Sequence, residues 1–262
     1  MKISSGGQYD GLPDLWHKRA FLGTGKDIKK YDVSYYQCPN CGFVQTEKPY
    51  WLAEAYSEII DAEDIGLLKR NIDNAAVVSR LVQVFFPRAE TFLDVGGGYG
   101  IFVRLMRDRG FAFQWDDKYT RNLFARGFEK NREQYDIVTA FELFEHYDEP
   151  MKEIKNLAAL GDTIIFSTLL LPEPVPKPDA WWYYSTSTGQ HISFYTKQAL
   201  AYCAKSIGRY YTGSTGIHIF SKRPISSWQF RLFVSRIGWI FGHSHRKSLL
   251  SEDYERLIGE KI

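Results

Sequence analysis

The stretch Leu93-Asp94-Val95-Gly96-Gly97-Gly98-Tyr99-Gly100 decides the fold. A short β-prone run, residues 91–95, leads into it, and a helical run, residues 101–109, leads out and stops at Gly110. A loop between a strand and a helix aims backbone N–H groups and a helix N-terminus at whatever lies above it. Glycines let such a loop turn tightly and leave no Cβ in a ligand's way. The spacing is G-x-G-x-G, with Asp94 two residues ahead of the first glycine. The dinucleotide fingerprint G-x-G-x-x-G would need a glycine where Ile101 stands, so the loop is less suited to a pyrophosphate.

Outward from the loop, the rhythm is strand, turn, helix, strand. Residues 111–115, 135–140 and 162–167 read as further strands with helical stretches between them. That alternation predicts a doubly wound α/β fold with a mostly parallel sheet. Upstream, residues 50–86 read as helical: Leu67, Leu68, Ile72, Ala75, Ala76 and Ser79 recur at spacings of three and four, and Pro87 ends the run. Downstream, residues 171–178 hold four prolines and predict an extended connection. A helix is expected over residues 196–207, capped by Thr196, then a strand over 216–222. The chain thus divides into a small N-terminal segment (1–50), a central α/β domain (51–222) and a helical tail (223–262).

Composition narrows the function classes. The chain has 262 residues, 33 basic against 31 acidic side chains and a net charge of +2, so nothing in its charge points to nucleic acid. Its longest apolar runs are near nine residues, far short of the roughly 20 a bilayer span needs. The first ten residues are polar and Gly/Ser-rich, without the apolar core of a signal peptide, and the cysteines number three. A cytoplasmic setting with reduced thiols is therefore expected.

The glycine motif resembles motif I of class I S-adenosylmethionine-dependent methyltransferases, whose fold is Rossmann-like. The resemblance implies a donor pocket shaped by Asp94, Gly96, Gly98, Tyr99 and Gly100. It also implies a carboxylate at the end of the next strand for the ribose hydroxyls. Asp116 and Asp117 both stand there, and the Lys118-Tyr119 pair after them favours Asp117. Residues 135–146 resemble the family's fourth-strand motif, which passes the methyl-donor pocket; this adds Phe141 to the donor contacts and places Glu142 facing the pocket. His146, in the same motif, is open to two readings: a catalyst, or, as is commoner in such folds, a group that caps or packs the following helix. Residues 50–57 resemble the aromatic segment that covers the donor in sugar-modifying relatives, with Tyr56 as its candidate and Asn71 as a further one.

Residues 189–196, Gly-Gln-His-Ile-Ser-Phe-Tyr-Thr, resemble an element carried by a subset that includes sugar methyltransferases. Sugar C-methyltransferases typically have Glu before the histidine; Gln190 stands here. His191 is then expected as a neutral imidazole that takes a hydroxyl proton, with Glu142 orienting it or a sugar hydroxyl. Trp181, Trp182, Tyr184 and Gln190 are the expected sugar contacts, since aromatic faces stack on the C–H patches of sugar rings. The resemblance implies S-adenosylmethionine as donor, S-adenosylhomocysteine as product and O-methylation of a surface glycan or its precursor. C- or N-methylation of a sugar, small-molecule O-methylation, and a silent donor-binding partner of a glycosyltransferase stay open.

Cys38-Pro39-Asn40-Cys41-Gly42 is half of a zinc knuckle. A structural zinc takes four ligands; Cys203 is distant in the chain and His17 lacks a partner, so the pair is expected to hold no zinc and to persist as a packed hairpin. Residues 222–247 carry six basic side chains, no acid, and five large aromatics that include Trp228, Trp239 and Phe241. Such a tail suits the inner face of an anionic membrane, a glycosyltransferase contact or a homodimer.

Overall fold

The computed structural model describes residues 19–56, 64–235 and 246–259. The central sheet has strands β4 (Phe92–Val95), β5 (Phe113–Asp116), β6 (Tyr135–Ala140), β7 (Gly161–Ser167), β9 (Tyr210–Gly213) and β10 (Ile217–Ser221). They lie in the order β5-β4-β6-β7-β10-β9. The first four run parallel; β10 is antiparallel to both β7 and β9. The expected doubly wound, mostly parallel α/β sheet is what forms.

The central strands carry apolar residues on both faces because both faces are covered. Successive residues alternate between two cores. Leu93, Val138, Ile164 and Phe220 join one, beside helices α4 (Pro150–Leu160) and α5 (Lys197–Ser206). Phe92, Ile137, Ile165 and Ile219 join the other, beside α2 (Leu67–Phe85), α3 (Ile101–Arg107) and α6 (Ser227–Val234). Thr196 caps α5 as expected, its hydroxyl accepting the Ala199 N–H at 3.0 Å. Helix α2 departs from its expected face. Ala75, Val78, Ser79, Leu81 and Val82 are buried, whereas Leu68 and Ile72 near its start are exposed. The periodicity marks one helix, but only its C-terminal half lies on the sheet.

The N-terminal region is more than an appendage. Strands β1 (Ala20–Asp27), β2 (Tyr31–Gln37) and β3 (Val44–Thr46) form an antiparallel sheet whose fourth strand is β8 (Ser193–Phe194). The segment bearing Gln190 and His191 is thus anchored in the N-terminal sheet. A single helical turn, α1 (Leu52–Ala55), comes after β3. Cys38 and Cys41 sit in the β2–β3 turn, a packed hairpin closed by Cys38 N–H to the Phe43 carbonyl and Gly42 N–H to the Cys38 carbonyl. Cys203, distant in sequence, is buried in the same core as both of them. His17 lies outside the described residues.

The tail docks on the domain. Phe230 of α6 is fully buried, and the Arg80 guanidinium donates to the Phe233 carbonyl. Asp253, on α7 (Leu250–Ile258), forms a buried pair with Arg107 and also meets Arg104. Helix α6 therefore buries Phe230 against its own chain, whereas Trp228 and the α7 residues Leu250, Tyr254, Leu257 and Ile258 stay exposed and α7 is held by Asp253; Trp239 and Phe241 lie outside the described residues. Among the described residues, no helix is long and apolar enough to cross a membrane.

Candidate active site

The strand order reverses between β4 and β6, and ligands of such sheets lie outside the carboxyl ends of the strands at that point. The glycine loop leaves β4 there. Gly96 and Gly97 donate their N–H groups to the Asp116 carbonyl, which ties the loop to the end of β5. Gly98 has φ +52°, and a Cβ there would meet nothing within 4 Å among the described residues. Gly96 is also left-handed (φ +69°), but a Cβ there would fall 2.5 Å from the Leu143 side chain. One glycine is required by packing, while the other lines an open cradle.

Asp117 holds that cradle. Its Oδ2 accepts the Gly98 N–H at 2.9 Å, and its Oδ1 accepts the N–H groups of Tyr119 and Thr120 at 2.8 Å each. Three of its roughly four acceptor sites are thus filled, and Oδ2 keeps one for a further donor. Its neighbour Asp116 points elsewhere, 3.9 Å from Lys130. Asp94 is buried, accepts the Thr139 hydroxyl at 2.6 Å, and is pushed up to about 7 by burial. Its other oxygen lies 2.9 Å from where a Gly97 Cβ would stand, so the carboxylate backs directly onto the loop. Tyr99 ties the loop to a later turn, its carbonyl accepting the N–H groups of Leu123 and Phe124. Phe141 packs on Phe102 at a ring distance of 4.9 Å. The open position at Gly98 and the carboxylates around it fit a polar, cationic ligand bearing hydroxyls.

The segment after β6 leaves the same end of the sheet as the glycine loop. Glu142 is left-handed (φ 49°), a costly conformation for a side-chain-bearing residue. Ser167 holds it there: its hydroxyl accepts the Glu142 N–H at 2.8 Å and donates to Oε1 at 2.5 Å. Glu145 is fully buried in the 3₁₀ turn Phe144–His146; Tyr183 donates to its Oε1 at 2.7 Å, and its Oε2 has no hydrogen-bond partner among the described residues. Burial, and then the nearby Glu142 charge, push Glu145 up to about 8.

Two imidazoles flank it. His191 Nδ1 lies 2.8 Å from the Tyr183 carbonyl, and His146 Nδ1 lies 3.0 Å from the Gln190 carbonyl. A carbonyl only accepts, so both Nδ1 atoms carry the proton and both Nε2 atoms present lone pairs. The rings stand edge to face, 5.0 Å apart. Burial depresses both, His191 to about 4 and His146 to about 3, so they are neutral at physiological pH. Tyr56, at the end of α1, reaches this pair, its hydroxyl 3.0 Å from His146 Nδ1.

Three expectations are corrected. His146 does not merely pack the following helix; it faces His191. Glu142 does not orient His191, because its carboxylate is engaged by Ser167 and the Tyr183 carbonyl sets the imidazole. Tyr184 is no ligand contact but fully buried, its hydroxyl donating to the Pro176 carbonyl. Of the remaining expected sugar contacts, Gln190 donates to the Ala55 carbonyl. Trp181 packs on Tyr183, Tyr184 and Phe194, while Trp182 is 76% exposed beside Tyr183. Asn71 only bonds the Leu67 carbonyl within its own helix. The sequence reading missed Glu145 and Arg70. Arg70 grips Asp64 through two bonds, at 2.7 and 2.6 Å, and its charge is felt at His191, Glu142 and Glu145. Glu145 stands in the Glu-His pair that ends the 135–146 motif, so a local signal marks its position though not its role; no local pattern marks Arg70.

Comparison with solved structures gives the same architecture. An O-methyltransferase family protein from Burkholderia thailandensis superposes with a TM-score of 0.53 at 17% identity, over 69% of this chain and 65% of that one. This chain thus spans less than two thirds of that protein's length. The magnesium protoporphyrin IX methyltransferase from Synechocystis, solved with S-adenosylhomocysteine, gives 0.45 at 16% identity, over 66% of this chain and 94% of that one. A methyltransferase of calicheamicin biosynthesis, also solved with S-adenosylhomocysteine, gives 0.47 at 15%, over 66% and 60%. No curated protein sequence is significantly similar to the chain. The sequence profile of a methyltransferase domain matches residues 69–210, more than half of the chain and the whole of the glycine loop and the histidine segment. The chain belongs to this methyltransferase-domain family.

Proposed function

We propose that the protein is an S-adenosylmethionine-dependent O-methyltransferase acting on a sugar hydroxyl. The observation that carries the reading is the open cradle at Gly98. It is held by the Asp117 carboxylate and lies at the same end of the sheet as an imidazole with a free Nε2 lone pair. When bound, S-adenosylmethionine supplies a methyl group made electrophilic by its sulfonium. The chain's own part is alignment and proton management. Gly96, Gly98 and Gly100 shape the cradle, Asp117 takes the ribose hydroxyls, and the buried Asp94 carboxyl, raised to about 7 by burial, stands behind the loop where a bound donor's positive charge favours its ionised form.

His191 activates the acceptor hydroxyl. Its Nδ1–H is fixed on the Tyr183 carbonyl, so the tautomer is set and Nε2 accepts the hydroxyl's hydrogen bond; with burial lowering the ring to about 4 it is a weak base, and it takes the proton only as methyl transfer makes the oxygen strongly acidic. Trp182, exposed beside Tyr183, offers an indole face for the acceptor's C–H patch. The test is methyl transfer from labelled donor to a panel of glycans, with NMR of the product. A methyl on oxygen supports the reading; a methyl on carbon or nitrogen, or no transfer to any acceptor, overturns it. His191→Ala should slow transfer by roughly 10²–10⁴-fold while donor affinity stays unchanged.

A further inference from the structure

Glu145, His146 and His191 are more than an acid–base cluster. Each offers a ligand-capable atom, and the three atoms all lie within 4.8 Å of one another. We infer that this group is a divalent transition-metal site. Two histidines and one carboxylate with coordination positions left open form a common donor set for such ions.

Three observations support it independently of the spacing. The first is Glu145 Oε2, an oxygen of a fully buried side chain without a hydrogen-bond partner among the described residues. A buried carboxylate oxygen normally has a donor, and a cation would satisfy this one. The second is the outer bonding. Metal-ligating histidines almost always give their other ring N–H to a carbonyl or carboxylate, and both imidazoles do so here, to Tyr183 and Gln190. The third is the support of Glu145 itself. Its Oε1 is fixed by Tyr183, and its main-chain carbonyl accepts the Ile192 N–H at 2.8 Å, which locks the carboxylate beside the histidine segment.

The inference rests on the proposed function only for the acceptor's position, and it changes how His191 acts, not where. With an ion bound, Nε2 is a ligand. An acceptor hydroxyl entering an open position is acidified, its proton leaves to solvent, and its oxygen lone pair forms the bond to the methyl carbon as the carbon–sulfur bond breaks. An acceptor with adjacent oxygens, as on a sugar ring, suits two open positions.

The experiment titrates the chelator-treated full-length chain with Co(II), read by visible absorption and by calorimetry. One ion per chain, with ligand-field bands of nitrogen and oxygen donors, is expected. Glu145→Gln, which keeps the shape, and His191→Ala should each weaken binding at least about 100-fold, since even outer partners of metal ligands are worth 10–100-fold. Circular dichroism checks that both variants fold. No binding at millimolar Co(II), binding unchanged in both variants, or a thiolate charge-transfer band placing the ion at Cys38 and Cys41 would each overturn the site. S-adenosylhomocysteine binding is measured on the same metal-free sample. Its loss would sink the methyl-donor reading alone, and its retention without metal binding would sink the cation alone.

Discussion

Two glycines of one loop should answer the same substitution in opposite ways. Gly96 and Gly98 both have positive φ, so alanine at either carries a backbone cost of about 1–2 kcal/mol. At Gly96 the new methyl would fall 2.5 Å from Leu143 Cδ1 and 2.9 Å from its Cδ2 and Cγ. Overpacking of that kind adds about 1–3 kcal/mol, so Gly96→Ala should lose roughly 2–5 kcal/mol in all. At Gly98 nothing among the described residues lies within 4 Å of the new methyl, so stability should fall only by the backbone part. For a chain of this size each kcal/mol lowers Tm by about 2–4 °C. Ligand binding should show a separate effect. The Gly98 methyl stands where the ligand belongs, and an intrusion of about 1–3 kcal/mol corresponds to a loss of roughly 5- to 150-fold in affinity. Thermal melts of both variants with and without S-adenosylhomocysteine, plus a calorimetric titration of Gly98→Ala, measure both effects. A Gly98→Ala protein that binds the ligand as tightly as the unaltered chain would refute the assignment of the cradle.

Other perturbations reach the rest of the fold. Asp253→Ala leaves Arg107 buried and unpaired and should cost about 3–5 kcal/mol in urea unfolding; a loss below about 1 kcal/mol would show that the tail is not held by this pair. His218 sits between the Tyr211 hydroxyl and the Thr168 carbonyl, and burial lowers it to about 4. Below its unfolded value near 6.5 the unfolded chain binds a proton the folded one refuses, so stability falls with pH from about 6.5 to 4 by up to about 1.4 kcal/mol per unit. His218→Gln should remove that one-proton slope, and an unchanged pH profile of denaturation midpoints would contradict the assignment. Asp117→Ala should weaken S-adenosylhomocysteine binding at least about tenfold through lost charge-assisted hydrogen bonds, while Asp116→Ala should leave it nearly unchanged. The reverse order would make Asp116 the ribose residue.

Much of the sheet was legible because it is covered on both faces and interrupted by glycine and proline. Residues 135–140 are a strand end for end, and the capped helix after Thr196 forms as read. The donor loop was legible for the same local reason: glycine at a left-handed position is a sequence-level signal. The N-terminal sheet was not, because its closing strand, Ser193–Phe194, comes from far along the chain. Local pattern cannot report such a pairing. Glu145 was legible in position, as the Glu before His146 in the 135–146 motif, but not in role: only tertiary packing buries it, gives one oxygen to Tyr183 and leaves the other without a donor among the described residues. The face of α2 was misjudged because the apolar spacing continues through Leu68 and Ile72 past the end of the surface it covers.

A crystal structure of the chain soaked with S-adenosylhomocysteine tests the donor crevice most directly. The ligand is expected along the loop at Gly96–Gly100, its ribose hydroxyls on Asp117 and its sulfur facing the end of the crevice where His191 and Glu145 stand. A well-ordered crystal with that crevice empty at millimolar ligand, or with the nucleoside bound elsewhere on the sheet, would contradict the assignment.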